Sequence, residues 1–341
     1  MTYLSVIIIA YNRIKYLKAA VDSVLNQTLS KENYEIIVVK NFVWDGDEYL
    51  LRNNVKVLYS DEQSIGPKIA MAIQNSKGNV ILFLDDDDRF LPNKLKHVYD
   101  TFDQNKTLGY YRNNFEIIDS EGKVRKSDFF RNSINKINQA SSIYIKNDEK
   151  IYKLRLMKRF SFEALPSCIS VRTDILLNNI KHMIHLDLSQ DWFSFFAALF
   201  SPYSMLEDSI ILTQYRIHYD NTSVSSSLDS MAQFHFRLLK SLKVIKEMVE
   251  SYHEGEVVNN VEKMIQYHQC KYNAFGGNQK CMIKELLLIE MKSLEWHEGE
   301  ISKYLGYFFL IFLILVNPRI YGTRFREIFL EALEKEYSFT L

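Results

Sequence analysis

Apolar positions over the first ninety residues predict alternating strands and helices. Four short apolar runs, rich in β-branched residues and typical of buried strands, occupy residues 4–10, 34–39, 55–59 and 80–84. Between these runs, residues 15–26 and 67–74 place apolar side chains at helical spacing. Strands that are apolar throughout, with helices between them, indicate a mostly parallel sheet covered on both faces. Ligands of such sheets bind beyond the carboxyl ends of the strands.

The pattern changes in the second half of the chain. Two further strands and two helices are predicted at residues 110–118, 210–218, 150–165 and 191–200. After a polar stretch at 221–227, five segments carry helical patterns, at 229–252, 256–275, 280–297, 300–316 and 323–336. We therefore predict an α/β domain over residues 1–225 and a helical region over residues 226–341.

Charge and cysteine content narrow the classes of protein. The 341 residues include 42 Lys and Arg and 42 Asp and Glu, so the formal net charge is zero and no basic field points to nucleic acid. The three cysteines match no zinc pattern and are predicted to be free thiols in a reducing compartment. The apolar N-terminal run has neither a basic region before it nor a cleavage site after it, which indicates a strand and not a signal peptide. These features predict a cytoplasmic protein.

One apolar segment leaves two interpretations open. Residues 304–316 are continuously apolar, but the run is shorter than the roughly 20 residues of a membrane-spanning helix. With a basic flank at Arg319, Arg324 and Arg326, the segment resembles a helix lying on the inner face of the cell membrane. The alternative is a helix packed into the C-terminal region or into a homodimer interface.

Four consecutive carboxylates, Asp85 to Asp88, directly follow the predicted strand at 80–84. Like charges at one strand end repel one another, and a hard divalent cation with oxygen ligands is their natural partner. Because alternate strand residues point the same way, Asp85 and Asp87 are predicted to share a face and Asp86 to point away. The alternative is an ordinary solvated acidic turn before a helix.

Three other segments supply candidate chemistry. Asp191 starts a predicted helix, where it is either a general base or an ordinary helix-start carboxylate. His218 ends a predicted strand and could bind a metal or a phosphate. The turn Ala10–Arg13 and Lys68 would face the same crevice and offer cations and backbone N–H groups to a diphosphate. No Walker-type loop, GxGxxG motif or serine nucleophile elbow occurs, which argues against P-loop NTPases, dinucleotide oxidoreductases and serine hydrolases.

Taken in order, these segments resemble the family 2 glycosyltransferases, which have the GT-A fold, and the likeness covers about residues 1–225. SVIIIAYNR resembles the first strand and donor turn of that family, and VDSVLNQTL resembles its first helix. SIGPKIAMAIQNSKGNVILFLDDDDRFLPNKL is similar to the stretch that leads into its Asp-X-Asp motif. SQDWFSFFAAL resembles the segment with its catalytic base, and YRIHYDNTS its late His motif.

The resemblance implies an inverting transfer of a sugar from a nucleoside-diphosphate sugar, by default a UDP sugar, to an acceptor hydroxyl. Asp191 corresponds to the catalytic base. Asp87, with Asp88 and His218, is expected to bind Mn²⁺ or Mg²⁺. The residues expected to contact the nucleotide sugar are Ala10, Tyr11, Arg13, Asn41, Lys68, Asp85 and Asp86. The expected acceptor is a glycan, a polysaccharide precursor or a lipid-linked glycan.

One position departs from the pattern of the family. After the second strand the family has paired Asp residues, one of which reads the base, whereas this chain has Lys40 and Asn41. Asn41 could still hydrogen-bond a base edge, and Asp45 could reach in from a longer loop. The change keeps a non-catalytic sugar-binding or scaffold protein open as an alternative. A sugar nucleotidyltransferase is a further alternative, although it would normally carry a Gly-rich loop after the first strand.

Overall fold

The structure is a computed structural model that describes residues 3–125, 138, 141–149, 165–218 and 228–275. Four predicted helices fall outside these residues in whole or nearly so, at 150–165, 280–297, 300–316 and 323–336. Both interpretations of residues 304–316 therefore stay predictions.

Strands and helices alternate along the N-terminal part of the chain, as the apolar pattern predicts. The strands of the described residues are β1 (Leu4–Ala10), β2 (Tyr34–Lys40), β3 (Lys56–Tyr59), β4 (Val80–Asp85), β5 (Arg89–Phe90), β6 (Leu108–Ile118), β7 (Ile143–Ile145), β8 (Ile169–Arg172) and β9 (Ser204–Arg216). The helices are α1 (Leu17–Leu25), α2 (Asp47–Arg52), α3 (Ile65–Gln74), α4 (Lys94–Gln104), α5 (Thr173–Asn178), α6 (Ile180–Met183), α7 (Gln190–Leu199), α8 (Leu228–Glu250) and α9 (Gly255–Phe275).

Some elements are too short or too polar to show in the apolar pattern. Strands β5, β7 and β8 have four residues or fewer, so no periodicity can indicate them. Strand β9 begins at Ser204, earlier than the predicted residue 210, because Glu207 and Asp208 interrupt its apolar positions. Tertiary pairing with β6 and β7 stabilises this polar part of the strand.

All the strands belong to one sheet, whose order is β3-β2-β1-β4-β8-β6-β9-β5, with β7 paired to β9. Strands β3, β2, β1 and β4 are parallel neighbours. Beyond them, β8 runs antiparallel to both β4 and β6, and β6 runs parallel to β9. The predicted α/β fold, with helices flanking the sheet and a helical C-terminal region, is confirmed. The antiparallel strands make the sheet as a whole mixed.

One face of the sheet packs against α1 and α4. Alternate residues of three parallel strands, such as Val6, Ile36 and Leu82, form an apolar core with Leu17 and Val98 of the two helices. Full burial of such a side chain contributes about 1.5–3 kcal/mol. Because a slip of one residue would turn these side chains to the wrong face, the core also fixes the register of the strands.

Helix α7 lies on the other face of the sheet. Tyr110 and Tyr111 are consecutive residues of β6 and therefore point to opposite faces. Tyr111 belongs to the core with α1 and α4. The ring of Tyr110 meets the ring of Phe195 in α7 edge to face, with 6.0 Å between the centroids. The predicted helix at 191–200 is thus a buried layer over β6.

The described residues divide into two compact units. One contains the described residues up to Ile217 together with Val244–Val257, and the other contains His218, residues 228–243 and residues 258–275. In the second unit, α8 and α9 meet at His235 and His268, whose Nδ1 atoms are 3.0 Å apart. The predicted domain boundary after residue 225 stays a prediction. Among the described helices, none combines the length and the apolar character needed to cross a membrane.

The start of α3 is joined to the segment that precedes α7. The backbone N–H of Ile65 donates to the carbonyl of Asp187 at 3.2 Å, and that of Gly66 donates to the carbonyl of Leu186 at 2.9 Å. A Cβ atom at position 66 would lie 2.0 Å from the carbonyl oxygen of Met183. Only glycine allows this approach, so Gly66 sets where the segment before α7 lies.

We expect Gly66→Ala to destabilise the protein by about 2 kcal/mol or more, because the added methyl group has to displace backbone atoms. Urea unfolding followed by circular dichroism measures the effect. Gly255→Ala is the matched control, since nothing lies within 4 Å of its added Cβ. Equal stability of the two variants would contradict a tight contact at Gly66.

Candidate functional site

Three parallel strands end at the same edge of the sheet. In the strand register, Ala10 at the end of β1 lies beside Lys40 at the end of β2. Asp85 at the end of β4 lies beside Ile9. Residues that follow these strands therefore come together, although they are far apart in sequence. This edge is where ligands of parallel α/β sheets bind.

The acidic run forms a tight turn at this edge. Strand β4 ends at Asp85, and the N–H of Asp88 donates to the carbonyl of Asp85 at 3.1 Å. The strand alternation that would point Asp86 away stops there, because the next residues belong to the turn. Asp86, Asp87 and Asp88 are all buried, with exposed fractions of 2%, 5% and 0%. The solvated acidic turn considered as an alternative is thus wrong.

Three carboxylates of the turn lie within reach of one ion. Oxygen atoms of Asp85, Asp87 and Asp88 all fall within 4.8 Å of one another. Burial, followed by the negative charges of the neighbouring aspartates, raises the pKa of Asp85 well above its usual range. Burial and the charge of Asp87 raise the pKa of Asp88 to about 8. Such a crowded set of hard oxygen atoms suits a divalent cation such as Mn²⁺ or Mg²⁺.

Arg13 is the cation that pairs with the middle of the run. Its guanidinium contacts the carboxylate of Asp86 and lies 2.9 Å from the carboxylate of Asp87. Hydrogen bonding and the negative charges of Asp86 and Asp87 raise the pKa of Arg13 against the opposing effect of its burial. The predicted phosphate-binding arginine is therefore bound to the carboxylates in this structure.

Arg216, from the end of β9, holds the other side of the turn. Its Nε donates to the carbonyl of Asp87 at 2.7 Å, and its backbone N–H donates to the carboxylate of Asp88 at 2.9 Å. The guanidinium lies over the ring of Tyr16, 4.5 Å from the centroid. In the sequence, Arg216 is only one residue of the segment YRIHYDNTS. Only the pairing of β9 in the sheet shows that it orders the acidic turn.

Lys68 and Tyr11, two residues predicted to contact the nucleotide sugar, lie side by side in the structure. The Lys68 ammonium is 4.2 Å from the centroid of the Tyr11 ring, and its Nζ is 3.5 Å from the carbonyl of Gln63. The side chain is buried, with 2% exposed. Lys68 belongs to α3, and the N–H groups of Ile65 and Gly66 at the start of that helix already donate to the segment before α7. Lys68 is therefore a stronger candidate for phosphate binding than the first N–H groups of α3.

Lys40 and Asn41, the two residues that depart from the family pattern, both bind neighbouring side chains. Lys40 is fully buried, and its ammonium lies 2.9 Å from the carboxylate of Asp47 and 3.3 Å from the Tyr59 hydroxyl. Asn41 and Asn12 exchange hydrogen bonds: the N–H of Asn12 donates to Asn41 at 2.9 Å, and the Asn41 amide donates to the Asn12 side chain at 2.7 Å. The Lys40 ammonium is thus bound to groups that follow β2 in the chain or lie in β3. The side-chain amides of Asn12 and Asn41 lie just after the ends of β1 and β2.

Asp191 lies in the first turn of α7, two residues after Ser189, whose backbone is left-handed with φ at 63°. Burial raises the pKa of the Asp191 carboxyl to about 7, although N–H groups of the helix start and the charge of Arg112 oppose the shift. A buried ion pair between Arg112 and Glu207, 3.2 Å apart, lies in the sheet beneath this helix. A carboxyl that titrates near neutral pH is suited to proton transfer.

His218 and Asp45 are two further residues that the sequence singles out. His218 is buried just after β9 and belongs to the second compact unit. It is not among the residues grouped with the acidic turn as metal ligands within the described chain. Its metal-binding role stays a prediction. Asp45 is exposed in the loop before α2.

Ser167 is a residue of the site that no sequence pattern indicated. It belongs to a short 3-10 turn, Pro166–Cys168, that leads into β8. Its hydroxyl donates to the carboxylate of Asp88 at 2.6 Å and accepts the N–H of Asp85 at 3.0 Å. A lone serine about eighty positions along the chain from its partners carries no signal, because the contact depends on the antiparallel pairing of β8 with β4.

Comparison with known proteins finds similarity to glycosyltransferases. Residues 5–165 match the family model described as Glycosyl transferase family 2. An uncharacterized glycosyltransferase of Rickettsia bellii is 34% identical over 128 residues, covering 36% of this chain and only 18% of that protein. The uncharacterized glycosyltransferase RP339 of Rickettsia prowazekii is 26% identical over 246 residues, covering 67% of this chain and 68% of that protein. The chain is therefore similar to family 2 glycosyltransferases over residues 5–165.

Among solved structures, the chain is similar to S. aureus TarS 1-349 in complex with UDP-GlcNAc. The TM-score is 0.48 at 16% identity, and the match covers 83% of this chain and 81% of that one.

We expect Asp191→Asn to stabilise the protein at neutral pH and not at pH 4. The pKa of Asp191 is about 7 in the folded chain, against about 3.9 for an unfolded Asp. The folded state therefore binds the proton more tightly, and this carboxyl lowers stability as pH rises from about 4 to about 7.

The gain for Asp191→Asn should reach about 1–3 kcal/mol at pH 7.5, below the full value of the shift because the carboxyl is partly exposed. Urea unfolding at both pH values measures it. Asp229→Asn, at an exposed position in the first turn of α8, is the control. A gain that does not depend on pH would contradict the raised pKa of Asp191.

Proposed function

We propose that the protein is a glycosyltransferase that moves a sugar from a nucleoside-diphosphate sugar to an acceptor hydroxyl. The observation that carries this proposal is the group of Asp85, Asp87 and Asp88 oxygens at the carboxyl end of β4. It lies within the segment that matches Glycosyl transferase family 2. A nucleoside diphosphate is rich in phosphate oxygens, which complete the shell of a divalent cation held by carboxylates.

The carboxylate oxygens of this group are ligands of the kind that Mn²⁺ and Mg²⁺ prefer. Asp87 and Asp88, with Asp85, would hold the ion, and His218 is a further proposed ligand. When bound, the ion supplies positive charge that stabilises the leaving nucleoside diphosphate. Lys68 would add a second positive charge, which is an electrostatic contribution from the chain itself.

Asp191 is the proposed general base. A carboxyl with a pKa of about 7 accepts a proton more readily than an ordinary Asp and is still partly ionised at neutral pH. It would take the proton from the acceptor hydroxyl while that oxygen attacks the anomeric carbon on the face opposite the leaving group. This single displacement inverts the configuration. Fixing α7 against β6 holds the base in place, as orientation requires.

The proposed donor contacts are Ala10, Tyr11, Arg13, Asn41, Lys68, Asp85 and Asp86. Of these, Asn41 is the proposed reader of the base, together with its partner Asn12. Their amides keep donor and acceptor atoms at the strand ends, whereas Lys40 is bound to Asp47. A uridine nucleotide is the default proposal. Arg13 would divide its donors between the aspartates and a phosphate.

For the acceptor we propose a glycan, a polysaccharide precursor or a lipid-linked glycan. A cytoplasmic location, with contact to the inner face of the membrane or a dimer contact through residues 304–316, is part of this proposal. The second candidate is a non-catalytic sugar-binding or scaffold protein, favoured by the pairing of Lys40 with Asp47 at the position that departs from the family pattern. Metal-dependent hydrolysis of nucleotide sugars separates the two, since only the enzyme would turn over donor.

Asp191→Asn should bind the nucleotide sugar as the native chain does and should lose a factor of about 10²–10⁴ in transfer rate. The amide cannot accept the proton of the acceptor. In the native chain the rate should fall as pH drops below about 7, because the base becomes protonated. Initial rates and donor titrations at several pH values measure both effects. Near-normal transfer by the variant would remove Asp191 from the mechanism.

Asp87→Ala should weaken donor binding in the presence of Mn²⁺ by about tenfold or more, since a ligand of the ion and a partner of Arg13 are both lost. Chelation of the metal should weaken donor binding of the native chain in the same way. Calorimetric titration with a UDP sugar measures the affinity. Asp103→Ala, which removes a surface ion pair with Lys106, is the control. Unchanged affinity for Asp87→Ala would count against the metal site.

A further inference from the structure

Ser167 connects the two ends of the acidic turn. One atom, its hydroxyl oxygen, accepts the backbone N–H of Asp85 at 3.0 Å while its hydrogen goes to the carboxylate of Asp88 at 2.6 Å. The turn is also closed by the N–H of Asp88, which donates to the carbonyl of Asp85 at 3.1 Å. Ser167 is fully buried. Its hydroxyl therefore braces the turn without competition from water.

Both oxygens of Asp88 are oriented by this arrangement. Oδ2 accepts from the Ser167 hydroxyl, and Oδ1 accepts from the backbone N–H of Arg216 at 2.9 Å. A carboxylate oxygen has a second lone pair, so each can still face an ion. Hydrogen bonds to ligating carboxylates are a general means of fixing ligand orientation. Asp88 is thus held in one orientation before any ion arrives.

Ser167 is itself anchored by a buried lysine. The Lys94 ammonium donates to the carbonyl of Ser167 at 2.5 Å and to the hydroxyl of Thr213 at 2.9 Å, and Thr213 donates to the same carbonyl at 3.0 Å. Lys94 is fully buried and lies 4.0 Å from the centroid of the Phe90 ring. Burying a lysine is costly, and its hydrogen bonds to the Ser167 carbonyl and to Thr213 hold the turn that carries Ser167.

We propose that Ser167 is a positioning residue that sets the spacing of Asp85 and Asp88 for a divalent cation. The proposal rests on the proposed function, because it assumes that the acidic turn binds the metal. Without the brace, the like charges would push the carboxylates apart, and the ion would have to order them on binding. The brace removes that cost from the binding step.

Ser167→Ala tests the proposal with Mn²⁺ alone as the probe. We expect the Kd of the full chain for Mn²⁺, read from the electron paramagnetic resonance signal of the free ion, to rise by about tenfold or more. Ser170→Ala is the matched control. Its hydroxyl is equally buried in the neighbouring strand and has no hydrogen-bond partner among the described residues. The control should leave the Kd unchanged.

A kinetic measurement separates positioning from a general structural defect. In Ser167→Ala the apparent KM for the donor should rise at low Mn²⁺ and return toward the native value at saturating Mn²⁺, with kcat largely kept. A structural defect would lower kcat at every Mn²⁺ concentration. If Ser167→Ala does not fold, Ser167→Cys, which keeps the approximate size but donates weakly, should raise the Kd in the same direction.

Two results would overturn the proposal. A folded Ser167→Ala or Ser167→Cys variant with the native Kd for Mn²⁺ would refute the positioning role of Ser167 and would leave the proposed metal site unaffected. If the native chain binds no Mn²⁺, and Asp87→Ala therefore changes nothing, both this proposal and the metal part of the proposed function fail.

Discussion

The crowding of four carboxylates in one buried turn is the constraint on which the rest of the site depends. Asp86, Asp87 and Asp88 are nearly inaccessible to water, so their mutual repulsion is poorly screened. Groups from distant parts of the chain contact the turn and stabilise it. Arg13 follows β1, Ser167 precedes β8, and Arg216 ends β9. Burial, followed by the neighbouring negative charges, raises the pKa values of Asp85 and Asp88, and such perturbed carboxyls support the proposal of a cation site.

The same sheet positions both the acidic turn and the proposed base, but through different contacts. The parallel register of β1 and β4 brings the acidic turn to the edge of the sheet. Packing of α7 on β6, and the hydrogen bonds from Ile65 and Gly66, fix the segment that leads to Asp191. A rigid scaffold of this kind lets a site combine side chains from strands, turns and a helix start, each held by its own contacts.

Much of the fold could be predicted from the sequence, because burial on one or both faces imposes a period on the chain. The runs in β1, β2 and β4, the helical spacing of α1 and the acidic residues after β4 are all local patterns. Asp191 and His218 stand at the start of a predicted helix and at the end of a predicted strand, and the resemblance adds the roles expected for them. By contrast, the pairs Lys40–Asp47 and Asn12–Asn41 could not be predicted, since they depend on how two loops meet. The expectation for Asp86 assumed a strand that in fact ends at Asp85.

The sequence by itself determined the alternation of strands and helices, the family resemblance and the place of the acidic run at a strand end. These follow from residue types at short range, where periodicity and adjacency carry the information. Only the tertiary structure decided which groups stabilise that run, because Arg13, Ser167 and Arg216 reach it through the parallel and antiparallel pairing of strands. It also decided that burial moves the pKa of Asp191 to about 7. Desolvation depends on everything packed around a group, and no local pattern records that.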